Sequence, residues 1–585
     1  MSTATPPSAG DATPPAFTHR QILVILTGLM SGMFLAALDQ TIVATSIRTI
    51  ADDLQGLSIQ AWATTAYLIT STISTPLYGK MSDLYGRRRF FLLAISVFVL
   101  GSTLCGFAQS MYQLAAFRAL QGIGAGGLFS LALTIIGDLV PPRERARYQG
   151  MFLAVFGTSS VLGPVVGGFL AGQDTIFGIT GWRWVFLVNV PVGIISLALV
   201  FRTLHLPHTR REHRIDHLGA VMLCIALIPL LIVAEQGREW GWTSARSLSS
   251  YIVGVLGIAG FLWAERRIGD DALLPLRLFS GRTFGVGSVL NFVVGMGMFG
   301  GLAALPLYVQ IVQGYSPTEA GLLLLPMVIG IMSGSIGSGQ AIARTGRYRV
   351  FPIAGLFLLV VGMVLLSRIT ADSSMVTVDA FAFIFGLGLG LNMQTLVLAI
   401  QNAVPPQDMG VATSSATFFR QMGGTLGTAV FLSVLFNRLP DTIASAFKAI
   451  APTADFQAAL KDPAVLANPA NKAVLQALSS PGATSGGSLN DSSFISSLDP
   501  RLARPFLVGF SDAITSVFVL GAIVLALAFV IVWFLPEEKL RTQSGIAARH
   551  QQETAAAAAL GEGAAGEAFE DEREAGISTP TQPSR

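Results

Sequence analysis

Apolar runs of about 20 residues recur along the chain, and each is long enough to cross a lipid bilayer as a helix. Short polar segments separate them, and the runs lack the apolar–polar alternation expected of the strands of a membrane barrel. We therefore predict an all-α membrane protein. The pattern predicts fourteen transmembrane helices, at residues 22–44, 60–79, 90–109, 112–136, 148–172, 184–203, 216–235, 247–266, 284–310, 317–341, 350–369, 376–400, 410–436 and 510–534.

The composition agrees with this prediction. Hydrophobic residues make up 52% of the 585 residues and charged residues only 12%, whereas soluble domains typically carry about 25% charged residues. The mean hydropathy is +0.62. The small net charge of +3 lies mostly in loops, so it reflects topology and does not indicate a nucleic-acid partner.

Basic residues concentrate in alternate loops between the predicted helices. Because short cytoplasmic loops carry an excess of Lys and Arg, these loops and both termini are expected in the cytoplasm. The protein is then a multi-pass protein of the cytoplasmic membrane. The basic residues of these loops are Lys80, Arg87, Arg88, Arg89, Arg143, Arg145, Arg147, Arg202, Arg210, Arg211, Arg214, Arg266, Arg267, Arg277, Arg282, Arg344, Arg347 and Arg349.

One internal repeat divides the chain. The loop Gly79–Arg89 aligns without gaps to Gly339–Arg349, and each copy joins two predicted helices. Two related halves around a site near the membrane midplane are the architecture of secondary transporters. The predicted parts are an N-terminal six-helix half at 21–203, two inserted helices with their loops at 204–282, a C-terminal six-helix half at 283–540 that includes an extracytoplasmic loop at 437–505, and disordered cytoplasmic tails at 1–20 and 541–585.

Three motifs resemble those of the major facilitator superfamily. Gly79–Arg89 is similar to its loop signature G-x-x-x-D-R-x-G-R-x-x, with Leu84 where Arg is usual, and Leu114–Gly126 resembles its fourth-helix motif. Gly157–Leu170 contains G-x5-G-P-x2-G-G, which resembles the antiporter motif in the fifth helix of exporters of that superfamily. The resemblance implies the major facilitator fold and transport out of the cell.

Three further segments resemble the fourteen-helix drug:proton antiporter family, the EmrB/QacA type. They are Leu38–Val43 in the first helix, Trp182–Gly193, and Phe419–Gly427. The resemblance covers roughly residues 20–540, and the six motifs occur in the expected order. It implies fourteen helices in two six-helix halves plus an inserted pair, and export that is driven by protons.

Two charged residues inside predicted helices are candidates for proton coupling. Asp39 lies deep in the first helix, and an acid within a membrane segment is costly and usually functional. The alternative is a helix-end acid in contact with water, because the predicted helix ends soon after it. Arg118, in the fourth helix, cannot lose its proton and needs an anion, a carbonyl or water. It either pairs with Asp39 or ties the helix to backbone carbonyls.

The fifth-helix motif contains no titratable group and so cannot couple protons by itself. Pro164 removes a backbone donor and favours a bend in the helix. Glycines leave one face bare, which lets another helix approach closely. We expect this face to seal or bend the interface between the halves. The motif residues are Gly157, Gly163, Pro164, Gly167 and Gly168.

The first copy of the repeated loop is a candidate cytoplasmic latch. A carboxylate near a helix N-terminus that also pairs with arginine would hold one conformer, and its release would permit opening. The alternative is positive charge that only sets topology, which explains the arginines but not the acid and the glycines. The latch candidates are Gly79, Asp83, Gly86, Arg87, Arg88 and Arg89.

The remaining candidates are weaker. Arg420 and Gln421 lie near the predicted start of the thirteenth helix, where they serve either as an interface anchor or in function. Met, Phe and polar residues of helices nine and twelve would suit a cavity for apolar or amphiphilic ligands, or they face lipid or core. These substrate-binding candidates are Phe292, Met296, Asn392 and Gln394.

We predict no metal site, no cofactor and no enzymatic activity. The motif G-x4-G-K-[ST] is absent, so a proton gradient is the expected energy source. The leading hypothesis is a monomeric proton-coupled antiporter that exports drug-like, lipophilic or cationic compounds by alternating access, with multidrug and antibiotic resistance as consequences. A dedicated exporter of a lipid or secreted metabolite is the alternative. A non-transporting membrane sensor is the remote alternative.

Overall fold

A computed structural model describes residues 18–56, 59–204, 216–479, 493–548 and 551. Its α-helices are α1 (His19–Asp53), α2 (Ala61–Tyr85), α3 (Arg87–Gly106), α4 (Met111–Leu139), α5 (Pro142–Ala171), α6 (Trp184–Leu187), α7 (Asn189–Thr203), α8 (His217–Trp240), α9 (Ala245–Ile268), α10 (Arg277–Ser280), α11 (Arg282–Leu307), α12 (Pro317–Leu323), α13 (Leu325–Thr345), α14 (Val350–Leu366), α15 (Met375–Ala403), α16 (Met409–Ile450), α17 (Ala454–Ala459), α18 (Pro463–Ala467), α19 (Lys472–Ser479) and α20 (Pro500–Ile531).

Shorter elements link these helices. A two-residue hairpin, β1 (Thr175–Ile176) and β2 (Ile179–Thr180), pairs antiparallel between α5 and α6. A π-helix at Tyr308–Val312 continues α11. Short 3-10 helices occupy Gly181–Arg183, Gly269–Asp271, Pro406–Asp408, Pro469–Asn471, Ser493–Ser497 and Val532–Phe534.

The all-α membrane class predicted from the sequence is confirmed. Each of the fourteen predicted spans overlaps a helix of the structure. Within the described residues, ten helices are long and apolar enough to cross a membrane by length and composition. The number of spans, fourteen, stays a prediction.

Two large apolar cores lie on either side of the bundle. One joins α1 to α5 and α7 around residues such as Leu29, Phe91 and Leu131. The other joins α11 and α13 to α16 with α20 around residues such as Leu359 and Phe518. Helices α8 and α9 pack together beside α2 and α16 through a separate apolar cluster. This arrangement fits two helical halves with an inserted pair.

Both copies of the repeated loop lie at the same end of the bundle, which we call the basic end. Arg143, at the start of α5, donates from Nε to the carbonyl of Ala343 near the end of α13 at 2.8 Å. His19, at the start of α1, lies 2.7 Å from the hydroxyl of Tyr148 near the start of α5. Alternate helices therefore begin or end together there, as the loop charges predicted. We call the other side of the bundle the opposite end.

Two helices extend well past their predicted ends. α1 continues to Asp53 rather than 44, and α16 continues to Ile450 rather than 436. In α16 a buried apolar stripe persists through Leu439, Ile443 and Phe447 while polar residues occupy the exposed face. A helix needs only such a stripe for packing. The helix can therefore continue past the point where the uniformly apolar run of the sequence ends.

The predicted loop at 437–505 is consequently wrong at both ends. Its first part belongs to α16, and α20 begins at Pro500. The short helices α17, α18 and α19 lie between them. Arg501 pairs with Asp462 and Asp499 at 2.9 and 3.0 Å, and these bonds to the Arg501 side chain hold the pKa of each carboxyl below its usual value.

The chain after α20 crosses the basic end. Residues 536–546, which we call the C-terminal strap, contact the C-terminal half first: the carbonyl of Pro536 accepts from the Tyr348 hydroxyl at 2.9 Å. Asn402 donates to the carbonyl of Lys539 at 3.1 Å. Ile546 then packs against the core of the N-terminal half. The strap therefore bridges both halves.

The predicted disorder from residue 541 is wrong for residues 541–548, because these residues lie against the folded bundle. The Ala- and Glu-rich composition of the tail predicts disorder and does not show that Ile546 packs against the bundle. The predicted tail at 1–20 falls outside the described residues up to residue 17, and the predicted tail after 551 falls outside them entirely.

Candidate functional site

Asp39 lies in the interior of α1, because the helix continues to Asp53. Its side chain has no exposed surface. The alternative of a water-capped acid at a helix end is therefore wrong: the predicted end at residue 44 placed Asp39 too close to the surface. A carboxylate at such a position must be compensated by charge or hydrogen bonds.

Arg118 of α4 supplies the compensating charge. Its Nη1 lies 2.5 Å from Asp39 Oδ2, and the guanidinium is only 1% exposed. The other carboxylate oxygen, Oδ1, accepts from Gln121 Nε2 at 2.9 Å and from Asn189 Nδ2 at 2.8 Å. Asp39 thus receives three hydrogen bonds from α4 and α7.

Arg118 makes further contacts that fix its position. It donates from Nε to the carbonyl of Ala63 at 3.1 Å and from Nη1 to Gln121 Oε1 at 2.8 Å. Its Cζ lies 4.1 Å from the ring centroid of Tyr67, which adds a cation–π contact. The two alternatives for Arg118, an ion pair and a tie to a backbone carbonyl, therefore coexist. The cluster joins α1, α2, α4 and α7.

Two members of this cluster were missed as site residues. In the sequence, Gln121 and Asn189 stand only within the motif segments Leu114–Gly126 and Trp182–Gly193. Both are fully buried, and Asn189 also donates to Ser102 Oγ at 3.0 Å. A buried amide in an apolar helix must find partners, and this was the available signal. Sequence spacing alone does not place α7 against α1.

The fifth-helix motif lies against α1 through two of its glycines. A Cβ added at Gly163 would collide with the Thr41 side chain, and one at Gly167 would lie 2.5 Å from Thr45 Oγ1. Thr41 donates from Oγ1 to the carbonyl of Ser159 at 3.0 Å. These positions require glycine because the two helices are in close contact. Gly168 is different, since a Cβ there would meet nothing within 4 Å.

The other side of the same helix meets the C-terminal half. A Cβ at Gly157 would lie 2.6 Å from Val328 of α13, and Pro164 Cγ lies 3.8 Å from the position of a Cβ on Gly321 in α12. α5 is one continuous helix with Pro164 inside it. The motif therefore lies where α5 contacts α1 and also the other half, which agrees with the predicted interface.

The latch candidates link the two halves at the basic end. The carboxylate of Asp83, at the end of α2, accepts from the backbone N–H of Gly410 at 3.2 Å and of Val411 at 2.9 Å. These amides belong to the first turn of α16, where the helix dipole favours a negative charge. Arg87 forms an ion pair with Asp83 and, through Nε at 2.8 Å, with Asp138 of α4.

Close approach explains the glycines of the latch. A Cβ at Gly79 would collide with Ser414 and lie 2.7 Å from the carbonyl of Gly410. Gly86 has φ of 101°, a left-handed backbone conformation that favours glycine. Arg88 donates to the carbonyl of Phe201 at 2.6 Å within the N-terminal half. Arg89 is exposed, and within the described residues its side chain makes no hydrogen bond, ion pair or ring contact. It takes no part in the latch.

Further bonds close the basic end. Arg145 of α5 donates from Nη1 to Gln401 Oε1 of α15 at 2.7 Å, and Gln401 donates to Thr413 Oγ1 of α16 at 2.8 Å. Arg143 bonds the end of α13, as described above. The C-terminal strap covers the same face. Residues of both halves thus meet at this end.

The weaker candidates separate into different places. Asn392 is fully buried, donates to the carbonyl of Gly388 at 2.9 Å and faces Gly355, so it packs α14 on α15 rather than lining a cavity. The backbones of Phe292 and Met296 lie against Gly423 and Gly427. Gln394 is 8% exposed.

α16 begins at Met409, one residue before the predicted start at 410, and Arg420 and Gln421 lie about three turns into this helix. Gln421 accepts from Thr75 Oγ1 at 3.3 Å and so contacts the N-terminal half.

A two-half helical bundle with a buried charged pair in one half and a closed end between the halves defines a membrane transporter rather than an enzyme. Residues 29–428 match the sequence profile of the Major Facilitator Superfamily. The chain belongs to this superfamily.

Named relatives extend this assignment. The chain is 35% identical over 541 residues to the multidrug transporter protein MdtP of Bacillus subtilis (strain 168), covering 92% of this chain and 96% of that protein. It is 36% identical over 537 residues to the uncharacterized MFS-type transporter Rv1877 of Mycobacterium tuberculosis (strain ATCC 25618 / H37Rv), covering 92% of this chain and 72% of that protein.

A solved structure supports the fold. The proton:xylose symporter XylE bound to 6-bromo-6-deoxy-D-glucose superposes with a TM-score of 0.56 at 15% identity, covering 91% of this chain and 99% of that one. At this identity the likeness concerns the fold alone. The solved structure confirms the predicted fold, and the superfamily match with the named relatives confirms the transporter class.

Proposed function

We propose that the protein is a proton-coupled antiporter that exports lipophilic, drug-like compounds by alternating access across the cytoplasmic membrane. The observation that carries the proposal is the buried pair Asp39–Arg118. Asp39 is an acid inside a membrane helix, and such a group by default marks an ion or proton pathway. Arg118 stays charged, so a proton on Asp39 would change the net charge of the cluster.

The exchange follows from electrostatics. With Asp39 ionised, the pair is neutral and is stable away from water. When the conformation that admits water from the proton-rich side forms, Asp39 takes up a proton and the bond to Arg118 weakens. In the conformation open to the other side the proton leaves, and the carboxylate of Asp39 again accepts hydrogen bonds from Arg118, Gln121 and Asn189.

The basic end is proposed to face the cytoplasm, because short cytoplasmic loops are rich in Lys and Arg. The conformation described above is then closed to the cytoplasm by the Asp83 latch, Arg145 and the C-terminal strap. Opening requires Asp83 to leave the first turn of α16. The same proposal includes a cytoplasmic location of both termini, fourteen membrane spans and a monomeric state.

Export of multiple drugs is supported by the names of relatives. Export rather than uptake is supported by the resemblance of the glycine-lined α5 motif to the antiporter motif. A dedicated exporter of a lipid or a secreted metabolite would use the same coupling residues and closing contacts. Transport assays with several dyes separate the two hypotheses, since a dedicated exporter would move none of them.

The test uses purified protein in proteoliposomes with an acidic interior and the pH dye pyranine trapped inside. Three dyes are added outside: ethidium as cation, N-phenyl-1-naphthylamine as neutral compound and 1-anilinonaphthalene-8-sulfonate as anion. For the wild type we expect at least one dye to accelerate the loss of internal protons. Asp39→Asn should abolish this acceleration.

Asp52→Asn is the matched control, because Asp52 is an exposed acid on the same helix. It should exchange protons as the wild type does. Dye-dependent proton loss that persists in Asp39→Asn would overturn the role of Asp39. Absence of any response to all three dyes in the wild type would overturn drug export.

A further inference from the structure

Arg420 differs from the other arginines inside the bundle. Arg118 bonds Asp39, Arg87 bonds Asp83 and Asp138, and Arg145 bonds two carbonyls and Gln401. Over the part of the chain that the structure describes, Arg420 has no hydrogen bond, ion pair or ring contact. An arginine cannot lose its proton, and an uncompensated charge within a bundle is costly. An arginine kept unpaired at this cost points to an anionic group that binds to it.

The position of Arg420 on α16 is interior and far from the helix start. It follows Met409 by eleven residues, or about 17 Å of helix. Its neighbours one turn before and after are Ala416, Thr417, Gly423 and Gly424, and all four are buried. Arg420 itself is half-buried. It therefore lies on the inner stripe of α16, with part of its surface accessible, and not on the lipid face.

Helix geometry places Gln394 at the same level. Gln401 of α15 bonds Thr413 of α16 at the closed basic end. Seven residues are about two turns, or roughly 10 Å, and return to nearly the same helix face. In these antiparallel helices Gln394 lies seven residues above Gln401, and Arg420 lies seven residues above Thr413. Gln394 and Arg420 therefore lie about two turns inside the Gln401–Thr413 bond, on the same helix faces as those two residues.

Gln394 is also free to act as a ligand. Its Oε1 is buried without a partner, and its Nε2 makes no hydrogen bond within the described residues. Gln421, the next residue on α16, bonds Thr75 of the opposite half and so ties this level to α2. A guanidinium and a free amide N–H at the same depth in the bundle can together bind a carboxylate, sulfonate or phosphate group.

We propose that Arg420 and Gln394 form an anion-binding subsite at the inner side of the closed basic end, and that the transported compounds include amphiphiles with one anionic group. The inference rests on the proposed transport function and names its substrate class. An unpaired guanidinium repels a cation in a low-dielectric space. The sequence led us to expect drug-like, lipophilic or cationic compounds, and the proposed subsite favours anionic amphiphiles over cations.

Binding in lipid nanodiscs tests the subsite without any gradient. The probes are 1-anilinonaphthalene-8-sulfonate and N-phenyl-1-naphthylamine, which share one ring skeleton and differ by the sulfonate. Empty nanodiscs supply the background. The wild type should bind the sulfonate more tightly than the neutral compound. Equal affinity of the wild type for both probes would overturn the proposal, whatever the variants do.

Arg420→Gln should weaken binding of the sulfonate about tenfold, as expected for loss of a charge-assisted bond, and leave the neutral probe unchanged. Arg420→Lys should retain part of the preference. Arg438→Gln, an exposed arginine farther along the same helix, is the matched control and should bind as the wild type does. Equal loss of both probes in Arg420→Gln would contradict the subsite.

The outcome is separable from that of the proposed function. If proton exchange fails while Arg420→Gln selectively loses the sulfonate, the subsite stands and the coupling does not. If proton exchange depends on Asp39 while the wild type ignores the sulfonate, the coupling stands and the subsite does not.

Discussion

Asp39 and Arg118 stabilise each other in a region where neither charge is stable alone. Removing one member of a buried pair leaves the other uncompensated, which costs about 3–5 kcal/mol. We predict that Asp39→Asn lowers the free energy of unfolding by about this amount. The double variant Asp39→Asn with Arg118→Gln should recover most of the loss, because no unpaired charge remains, yet it should not restore proton exchange.

Thermal denaturation in detergent and the pyranine assay measure the two quantities on the same preparations. A double variant that regains both stability and proton exchange would mean that the pair is only structural. A double variant no more stable than Asp39→Asn would mean that Arg118 does not depend on Asp39 for compensation.

Two glycines of the fifth-helix motif provide a matched pair at the residue scale. A Cβ at Gly163 collides with Thr41, whereas a Cβ at Gly168 meets nothing within 4 Å. We predict that Gly163→Ala separates α5 from α1, lowers the melting temperature and reduces dye-driven proton exchange. Gly168→Ala should leave both unchanged. If both variants behave alike, the glycines act through backbone flexibility and not through close packing.

At the scale of elements, the sequence predicts the existence of helices better than their ends. Apolar runs located every long helix, because burial in lipid requires them. α1 and α16 extend farther because a packed helix needs only one apolar stripe, as at Leu439 and Ile443. The end of α1 decided whether Asp39 was buried, so this error was also an error about the site.

Parts of the site depend on which elements become neighbours. The charges of Asp39 and Arg118 stand out in apolar segments and could be found by position. Asn189 and Asp138 could not, because their roles depend on α7 meeting α1 and on α4 meeting the loop after α2. The use of the Gly410 and Val411 amides by Asp83 has no side-chain signal in the sequence, since the partners of this carboxylate are backbone groups.

The C-terminal strap is an element that must release one half before the basic end opens. We predict that truncation after Leu535 favours the open conformer, because Asn402 and Tyr348 lose their bonds to the strap. The distance is measured between spin labels at positions 89 and 347, both exposed at the basic end. Cys105 and Cys224 are replaced by serine in every variant so that only these two positions are labelled. The average distance should be longer in the truncated chain than in the full chain.

Truncation after Gln551 keeps the strap and serves as the control, with distances equal to those of the full chain. An unchanged distance distribution in the shorter chain would contradict a closing role. The strap would then cover the basic end without holding it.

At the scale of the whole molecule, the two halves meet at the basic end through side chains and backbone amides rather than through one continuous core. The cores lie within the halves, while Asp83, Arg143 and Arg145 form hydrogen bonds between them. Polar contacts can exchange with water when they separate, at a small net cost each. An interface held by such polar contacts can open and close in each transport cycle.

The most direct test of the central claim, obligatory exchange of a compound for protons, starts without a pH gradient. Proteoliposomes that contain pyranine, with the membrane voltage clamped by potassium and valinomycin, receive 1-anilinonaphthalene-8-sulfonate outside. Antiport requires the interior to become more alkaline as the dye enters, and Asp39→Asn should remove this change. Dye entry without a pH change, or with acidification of the interior, would contradict the account.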